Sequence, residues 1–532
     1  MLPHEYTWIF ALGIVGSICD AYGLGANDVS NSFASSISSG SLTMMQACII
    51  ASFTEFLGAF LLGSETTETI KSGILDAELF VMQPELLMLA MLCALIGSAT
   101  WVIFASKTGL AVSSTHALVA GISGAGIAAF GGGAVKWGYD GMAKIITSWF
   151  VSPIVAGVIT TIIYLPTRYF ILESPDSFKR GIRAIPVYFF CTALIGSFYI
   201  IYKAVPSDKS SNLSTGAIVG ISFGVAGALT AFAWFFFVPW IKRRIVGKEN
   251  LRWYHLPAVH FVKHRPMPSP TEPDTDTPRE LESGSIAEIQ DKADVASRKC
   301  DELDADATAD SEIDTTPWYI KGLRYIKYLA LRGMKQDVKN LDNKKLSNVH
   351  NAAKKFDDET EHLFSFLQIL TACLASFAHG SNDVSNAAGP VSAIYDTWKH
   401  GRVDISGNSP VPKWILAMAG GGIVLGLLTL GYHVMRRVGN GITYLTPSRG
   451  FSVELGASLT VLTASQLGLP VSTTLCLVGA TVSVGLCNGN LRAISWRNIG
   501  IIFMSWMLTL PISGLLAGLI FAFGSNAPNK MI

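Results

Sequence analysis

The sequence predicts an all-α polytopic membrane protein with about ten to twelve transmembrane helices, built from two related halves. The 532 residues are 50% hydrophobic and only 15% charged, with a mean hydropathy of +0.40, whereas soluble domains carry about 25% charged residues. Residues 86–106 and 213–240 contain no Asp, Glu, Lys or Arg, and each can cross a bilayer that needs about 20 residues. One unusual polar string also occurs twice, far apart in the chain.

Ten apolar stretches along the chain are candidate spans. Two further stretches, residues 108–131 and 467–485, are apolar but rich in Gly, Ser and Thr. They resemble broken or re-entrant segments more than plain helices. Non-helical backbone at membrane depth is tolerated only where protein or a water-filled cavity satisfies it. The spans begin near Tyr6, Leu42, Leu86, Ile145, Val187 and Leu213 in the first half, and near Leu363, Trp414, Val453 and Ile499 in the second.

Composition divides the chain into a membrane half at residues 1–240, a hydrophilic loop at 241–362 and a second membrane half at 363–532. Within the loop, residues 271–316 are dense in Asp, Glu, Ser, Thr and Pro and are predicted to be disordered. Residues 318–345 are basic and partly amphipathic, which fits a helix on the membrane surface or a solvated linker helix equally well.

Basic residues near the spans predict the orientation of the chain. They cluster at the start of the loop at 241–362 and again two spans earlier, so both places are predicted to be cytoplasmic. The short connection at residues 206–212 would then face outside. The basic residues are Lys242, Arg243, Arg244 and Lys248 at the loop, and Arg168, Lys179, Arg180 and Arg183 before it.

The repeated string reads Gly-Ala-Asn-Asp-Val-Ser-Asn at residues 25–31 and Gly-Ser-Asn-Asp-Val-Ser-Asn at residues 380–386. Each string places a carboxylate, Asp28 or Asp383, inside an apolar segment, where it costs about 3 kcal/mol on insertion scales. Such residues usually mark an ion or substrate pathway, although a lone Asn-Asp pair could equally be a helix cap at the membrane edge. Recurrence of the string indicates that each half contributes half of one site.

The two polar breaks recur with nearly the same offset as the strings. They read Val-Ser-Ser-Thr at residues 112–115 and Val-Ser-Thr-Thr at residues 471–474. The offset is 355 positions from Asn27 to Asn382 and 359 from Val112 to Val471, as an internal duplication with small insertions would produce. Hydroxyls at the start of a helix suit an oxyanion, and the carboxylate and amide oxygens of the strings suit a hard cation such as Na⁺.

Two glutamates, Glu55 and Glu454, also lie within apolar segments, and their order in the chain matches them between the halves. Neither break contains Lys or Arg, so helix ends and co-bound cations would have to neutralise an anion. Each feature alone has a packing explanation, and His116 is most simply a packing histidine because its counterpart is Leu475. An enzyme is not expected: residues 121–124 match a GxSG protease form, but that reading leaves the strings and glutamates unexplained.

These motifs resemble those of the inorganic phosphate transporter family, most closely the sodium-coupled phosphate permeases of fungi. The resemblance rests on residues 25–34, 380–390, 446–451 and 469–474, and it covers both membrane halves. It implies two inverted-topology repeats, a homodimer and two re-entrant hairpins that enclose phosphate with Na⁺. It implies no nucleic-acid partner and no cofactor beyond the co-transported ion.

The resemblance also implies roles for individual residues. Phosphate would be held by Ser113, Ser114, Thr115, Ser472, Thr473 and Thr474; cations by Asn27, Asp28, Asn382 and Asp383, with Na⁺ at Asp28 and Asp383; and Glu55 and Glu454 would be critical for transport.

The expected function is therefore a plasma-membrane symporter that imports inorganic phosphate with Na⁺. Two alternatives stay open from the sequence. The same fold could couple to H⁺, because buried carboxylates carry protons as readily as they bind sodium. A phosphate sensor that keeps the fold without transport is a further possibility, which the intact breaks disfavour.

Overall fold

The computed structural model describes residues 1–204, 214–251, 255–263, 344–405 and 409–526. The regular elements within these ranges are helices, apart from two isolated β-bridges. The predicted disordered segment at 271–316, nearly all of the basic segment at 318–345 and the connection at 206–212 lie outside the described residues, so those interpretations stay predictions.

Helices coincide with all ten predicted spans, and short π-helical segments at Thr167–Leu172 and Ala233–Phe237 follow two of them. The first half contains α1 (Thr7–Asn27), α2 (Val29–Ser38), α3 (Met44–Leu62), α4 (Ser64–Ser72), α5 (Pro84–Lys107), α6 (Ser114–Phe130), α7 (Met142–Pro166), α8 (Ser177–Ala204), α9 (Thr215–Phe232) and α10 (Val238–Ile245). Helix α11 (Lys344–Ala352) lies in the last part of the central loop. The second half contains α12 (Asp358–His400), α13 (Lys413–Leu430), α14 (Tyr432–Ile442), α15 (Pro447–Gln466), α16 (Thr473–Leu486) and α17 (Trp496–Asn526).

Nine helical segments in the described part of the chain are long and apolar enough to cross a membrane. Helix α15 has 20 residues but is less apolar, because it carries Arg449 and Glu454, whose side chains are fully buried. Helix α12 has 43 residues, which corresponds to about 65 Å at 1.5 Å per residue. It is therefore about twice as long as the hydrocarbon core is thick, and it carries the second Asn-Asp string near its middle.

The two halves are interleaved, and both contribute residues to each of the two large clusters of buried apolar side chains. Helix α1 packs between α5 of its own half and both α12 and α13 of the other. The exchange is reciprocal, since α6 packs on α17 and α16 packs on α7. Glycines allow this close approach: a Cβ at Gly25 would overlap the carbonyl of Ile423, and one at Gly426 would overlap the carbonyl of Tyr22. Small residues at helix crossings are the usual solution in membranes, where burial of apolar surface does not drive helices together.

Contacts at the helix ends agree with the predicted sidedness. Lys354, in the last part of the central loop, lies 2.6 Å from Glu173 in the α7–α8 connection, and Arg168 lies 2.8 Å from the same carboxylate. The hydrogen bonds from Lys354 and Arg168 hold the pKa of Glu173 below its ordinary value. The two connections predicted to be cytoplasmic are thus on one side of the molecule. At the opposite end of α12, Trp398 accepts a hydrogen bond from the N–H of His4 at 2.8 Å.

Candidate functional site

The two polar breaks have the same local structure. Each begins with a glycine of positive φ, 72° at Gly109 and 62° at Gly468, a conformation that other residues adopt only at a cost. The residue after each glycine donates its N–H to the carbonyl five positions earlier, at 2.8 and 2.9 Å. Each break ends at a serine, Ser113 or Ser472, whose hydroxyl caps the next helix by accepting an N–H at 3.3 Å. The breaks therefore terminate α5 and α15 and start α6 and α16 by one mechanism.

An asparagine of each string holds the break of its own half. The side-chain amide of Asn27 accepts from the N–H of Val112 at 3.0 Å and donates to the carbonyl of Leu110 at 2.9 Å. Asn382 likewise donates to the carbonyl of Val471 at 2.7 Å. Backbone groups that the broken helices leave unpaired are thus satisfied by side chains of the strings, as burial requires.

Other residues of the strings reach across to the opposite half. The Thr474 hydroxyl of the second break donates to Asp28 of the first string at 3.0 Å. Asn386 of the second string donates to Ser114 and Thr115 of the first break, at 3.3 and 3.2 Å. All five side chains are at most 2% exposed. The sequence-predicted groups from both halves therefore meet in one buried place.

The second aspartate lies at the centre of this group. Asp383 accepts from the Thr473 hydroxyl at 2.7 Å and from the amide of Asn382 at 2.5 Å. Its Oδ2 also lies 2.9 Å from Nε2 of His379, off the direction of a hydrogen bond. Asp28, His379 and Asp383 each present one potential ligand atom, and these three atoms lie within 4.8 Å of one another.

Several buried oxygens around this cluster can accept hydrogen bonds or coordinate a cation but have no partner among the described residues. Among the described residues, Oδ2 of Asp28 and the amide oxygens of Asn382 and Asn386 accept no hydrogen bond, although all three are buried. Buried oxygens without a donor are costly, and carboxylate and amide oxygens are the ligands that hard cations prefer. A cavity of about 20 Å³, the size of one water or ion, adjoins Asp28, His379 and Thr473. The residues present therefore fit a small hard cation.

Glu55 is connected to this cluster through histidine. Its two oxygens lie 2.7 Å from the hydroxyl of Ser376 and 2.7 Å from Nδ1 of His379. The opposite ring nitrogen of His379 faces Asp383. Glu55, His379 and Asp383 thus form a continuous buried chain from α3 to the centre of the site.

Glu454 lies in a separate network and is fully satisfied. It accepts from Ser35 and Ser36 at 2.6 Å each, from Gln368 at 3.2 Å and from Thr371 at 2.7 Å. It therefore holds α2 of the first half against α12 of the second. The order-based matching of Glu55 with Glu454 does not hold in three dimensions, because Glu55 lies on α3, directly after the first string, whereas Glu454 lies on α15, directly before the second break.

Sequence reasoning missed His379, Asn386 and the partners of the two glutamates. Asn386 belongs to the repeated string and could have been found there, but His379 has no counterpart in the first half, where Leu24 lies at the matching offset. His116, which the sequence assigns to packing, lies against Trp149, with ring centroids 3.9 Å apart and the ring planes tilted by 49°. Its surroundings are those of a packing side chain.

A model of the phosphate transporter family matches residues 24–517. The chain belongs to this phosphate transporter family. It is 34% identical to the phosphate-repressible phosphate permease pho-4 of Neurospora crassa, with 99% of each chain covered. It is 31% identical to sodium-dependent phosphate transporter 1 of Mus musculus, over 98% of this chain and 95% of the relative.

A solved structure extends the comparison with the phosphate transporter family to three dimensions. A protein described as the sodium-dependent phosphate transporter is similar with a TM-score of 0.66 and 28% identity, over 96% of this chain and 98% of the other. The resemblance predicted from the strings and breaks is confirmed by the family match and by the fungal relative. The family is one of transporters and not of enzymes, so the GxSG reading of residues 121–124 is set aside.

Proposed function

We propose that this protein is a secondary active symporter that imports inorganic phosphate together with Na⁺ by alternating access. The observation that carries the proposal is the pair of hydrogen bonds between the two halves, in which Thr474 donates to Asp28 and Asn386 donates to Ser114. Hydroxyl groups suited to binding an oxyanion are thus hydrogen-bonded directly to carboxylate and amide groups suited to binding a cation. Binding of either ion would change the environment of the other, as cotransport requires. The relatives named as sodium-dependent support Na⁺ as the cation.

Phosphate is proposed to bind between the first turns of α6 and α16. These turns carry serine and threonine hydroxyls, and each helix start carries roughly half a positive charge. Neither break contains Lys or Arg, so the remaining charge of the anion is balanced by Na⁺ near Asp28 and Asp383. The proposed phosphate-binding residues are Ser113, Ser114, Thr115, Ser472, Thr473 and Thr474.

The membrane voltage would drive this cycle. Each net positive charge that enters contributes about 2.3 kcal/mol per 100 mV of inside-negative potential. An excess of cation charge over phosphate charge therefore favours accumulation inside. From the family resemblance we further propose inverted-topology repeats, a homodimer in the plasma membrane and a cytoplasmic central loop.

The two asparagines and two glutamates are proposed to support the site in different ways. Asn27 uses its side chain to hold the first break, so we assign it to shaping the phosphate site, with the carboxylates as the principal cation ligands. Glu55 acts on the centre through His379. Glu454 joins the halves beside the site and would move with them.

Coupling to H⁺ is the second candidate, and one observation favours it. The imidazole of His379 lies between the carboxylates of Glu55 and Asp383, at 2.7 and 2.9 Å, and can hold a proton there. The experiment that separates the candidates is radiolabelled phosphate uptake into proteoliposomes, with Na⁺ replaced by choline over a pH series. We expect uptake to fall to background without Na⁺ at every pH. Uptake that survives in choline and rises steeply with acidity would establish proton coupling instead, and no uptake under any gradient would favour a sensor.

Substituting Asn27 by Ala tests its assignment to the first break. We expect KM for phosphate to rise about tenfold or more, since each buried hydrogen bond lost is worth about 1–1.5 kcal/mol. Equilibrium binding of radiolabelled Na⁺ without phosphate should change little. Asn348, an exposed residue on α11, provides the matched Asn→Ala control. Loss of Na⁺ binding in the Asn27 variant would make Asn27 a direct cation ligand.

A further inference from the structure

Asp20 is a buried carboxylate outside the site described above. It lies on α1, about two turns before Asp28, and it is 1% exposed. Neither of its oxygens accepts a hydrogen bond from any described residue. An ionised carboxylate without a partner in a membrane interior costs several kcal/mol. Asp20 is therefore stable there only when a cation neutralises it.

Ser98 lies on α5, which packs against α1 along its length. It is fully buried, and its hydroxyl makes no hydrogen bond within the described part of the chain. The glycines one turn to either side of Asp20 lie against Leu95 and Val102, which puts Ser98 at the level of Asp20 on the facing helix. A buried carboxylate and a buried hydroxyl, neither with a hydrogen-bond partner among the described residues, thus lie at the same level in the contact between α1 and α5, here called the α1–α5 seam.

The same seam leads to the central site. Eight residues after Ser98 on α5, Ser106 accepts a hydrogen bond from Asn27 at 3.1 Å. Eight residues of helix correspond to about 12 Å, so Asp20 is separate from Asp28 but on the same helix pair. The charged and histidine side chains of α5, α12 and α13, the three helices that pack most extensively against α1, lie elsewhere. They are Glu85 and Lys107 at the ends of α5, Lys413 at the start of α13, Asp358, Glu359, Glu361, His362, Asp396, Lys399 and His400 towards the two ends of α12, and His379 and Asp383 in the central site.

We propose that Asp20 and Ser98 form a second cation site in the α1–α5 seam, which binds a proton or a Na⁺ ion independently of the central cluster. The inference rests on the proposed cation coupling and adds one cation to those bound at Asp28 and Asp383. A proton would reside on an Asp20 oxygen, and Na⁺ would take carboxylate and Ser98 oxygens as ligands, which are hard donors of the kind it prefers. The site would allow the protein to hold a coupling ion before the central site closes.

Purified protein in nanodiscs tests the site by equilibrium binding of radiolabelled Na⁺ without phosphate, with uptake measured in proteoliposomes over a pH series. If the site takes Na⁺, Asp20→Asn binds one fewer ion per chain at saturation while Asp28→Asn keeps the Asp20 site. If it takes a proton, the Na⁺ count is unchanged and the pH midpoint of Asp20→Asn uptake shifts by about one unit or more. An Asp20→Asn variant that matches wild type in both measurements overturns the proposal.

Ser98→Ala keeps the Asp20 carboxylate and removes only the Ser98 hydroxyl. It therefore tests the proposed cation site even if Asp20→Asn fails to fold. We expect Na⁺ affinity at this site to weaken about tenfold, or the pH midpoint to shift by about one unit. The matched control is Ser222→Ala, since Ser222 is equally buried but lies on α9. Identical behaviour of the Ser98 and Ser222 variants would refute the site. If the proposed function itself is wrong, the wild-type protein will show no Na⁺-dependent phosphate uptake, whatever the Asp20 and Ser98 variants do.

Discussion

Asp383→Asn is expected to reduce Na⁺-dependent phosphate uptake at least about a hundredfold while the protein still reaches the cell surface. The substitution preserves shape but removes the negative charge that faces Thr473 and His379. Breaking a buried charged pair by removing one partner costs about 3–5 kcal/mol, and a bound cation would lose one of its few anionic ligands. Because phosphate binding depends on that cation, both ions should be affected together.

Radiolabelled phosphate uptake, normalised to surface protein by biotinylation, measures this effect. Asp28→Asn should behave similarly, since Asp28 lies in the same cluster and accepts from Thr474. Asp140, exposed in the α6–α7 connection, supplies an Asp→Asn control that should transport normally. Wild-type rates in both the Asp28 and Asp383 variants would remove these carboxylates from the mechanism.

Gly380→Ala is expected to abolish uptake and to lower thermal stability. A Cβ at Gly380 of α12 would overlap the backbone carbonyl of Glu55 on α3. A Cβ at Gly58 of α3 would likewise overlap the backbone carbonyl of Phe377 on α12. The added methyl group would meet backbone atoms, which cannot rotate out of the way as a side chain can. Helix α3 must therefore move away from α12. That movement separates Glu55 from His379, which are now 2.7 Å apart. Overpacking of this kind typically costs about 1–3 kcal/mol.

The melting temperature of purified protein and the uptake rate measure the two consequences of Gly380→Ala. Gly421 on α13 is the matched control, because a Cβ there would meet nothing within 4 Å. The Gly421→Ala variant should melt and transport like wild type. Normal transport by Gly380→Ala would mean that the α3–α12 contact is not needed to position Glu55.

The elements of this protein could be predicted from sequence because their signals are local. A run of apolar residues long enough to span a bilayer is a property of one segment, and all ten such stretches are helices. The two breaks were also predictable, since Gly109 and Gly468 are followed by serines that cap the next helix. The duplicated strings identified the family without reference to any contact between them.

The sequence by itself therefore determined the helices, the breaks, the family and the set of residues around which the site is built. Only the tertiary structure decided which of them touch: that Thr474 bonds Asp28 across 446 positions of chain, that His379 joins Glu55 to Asp383, and that Glu454 belongs to a different network. The physical reason is that hydropathy and capping act over one or two helical turns, whereas partner choice depends on how whole helices cross. Those crossings are set by small residues and shape complementarity between helices distant in the chain, and no local pattern encodes them.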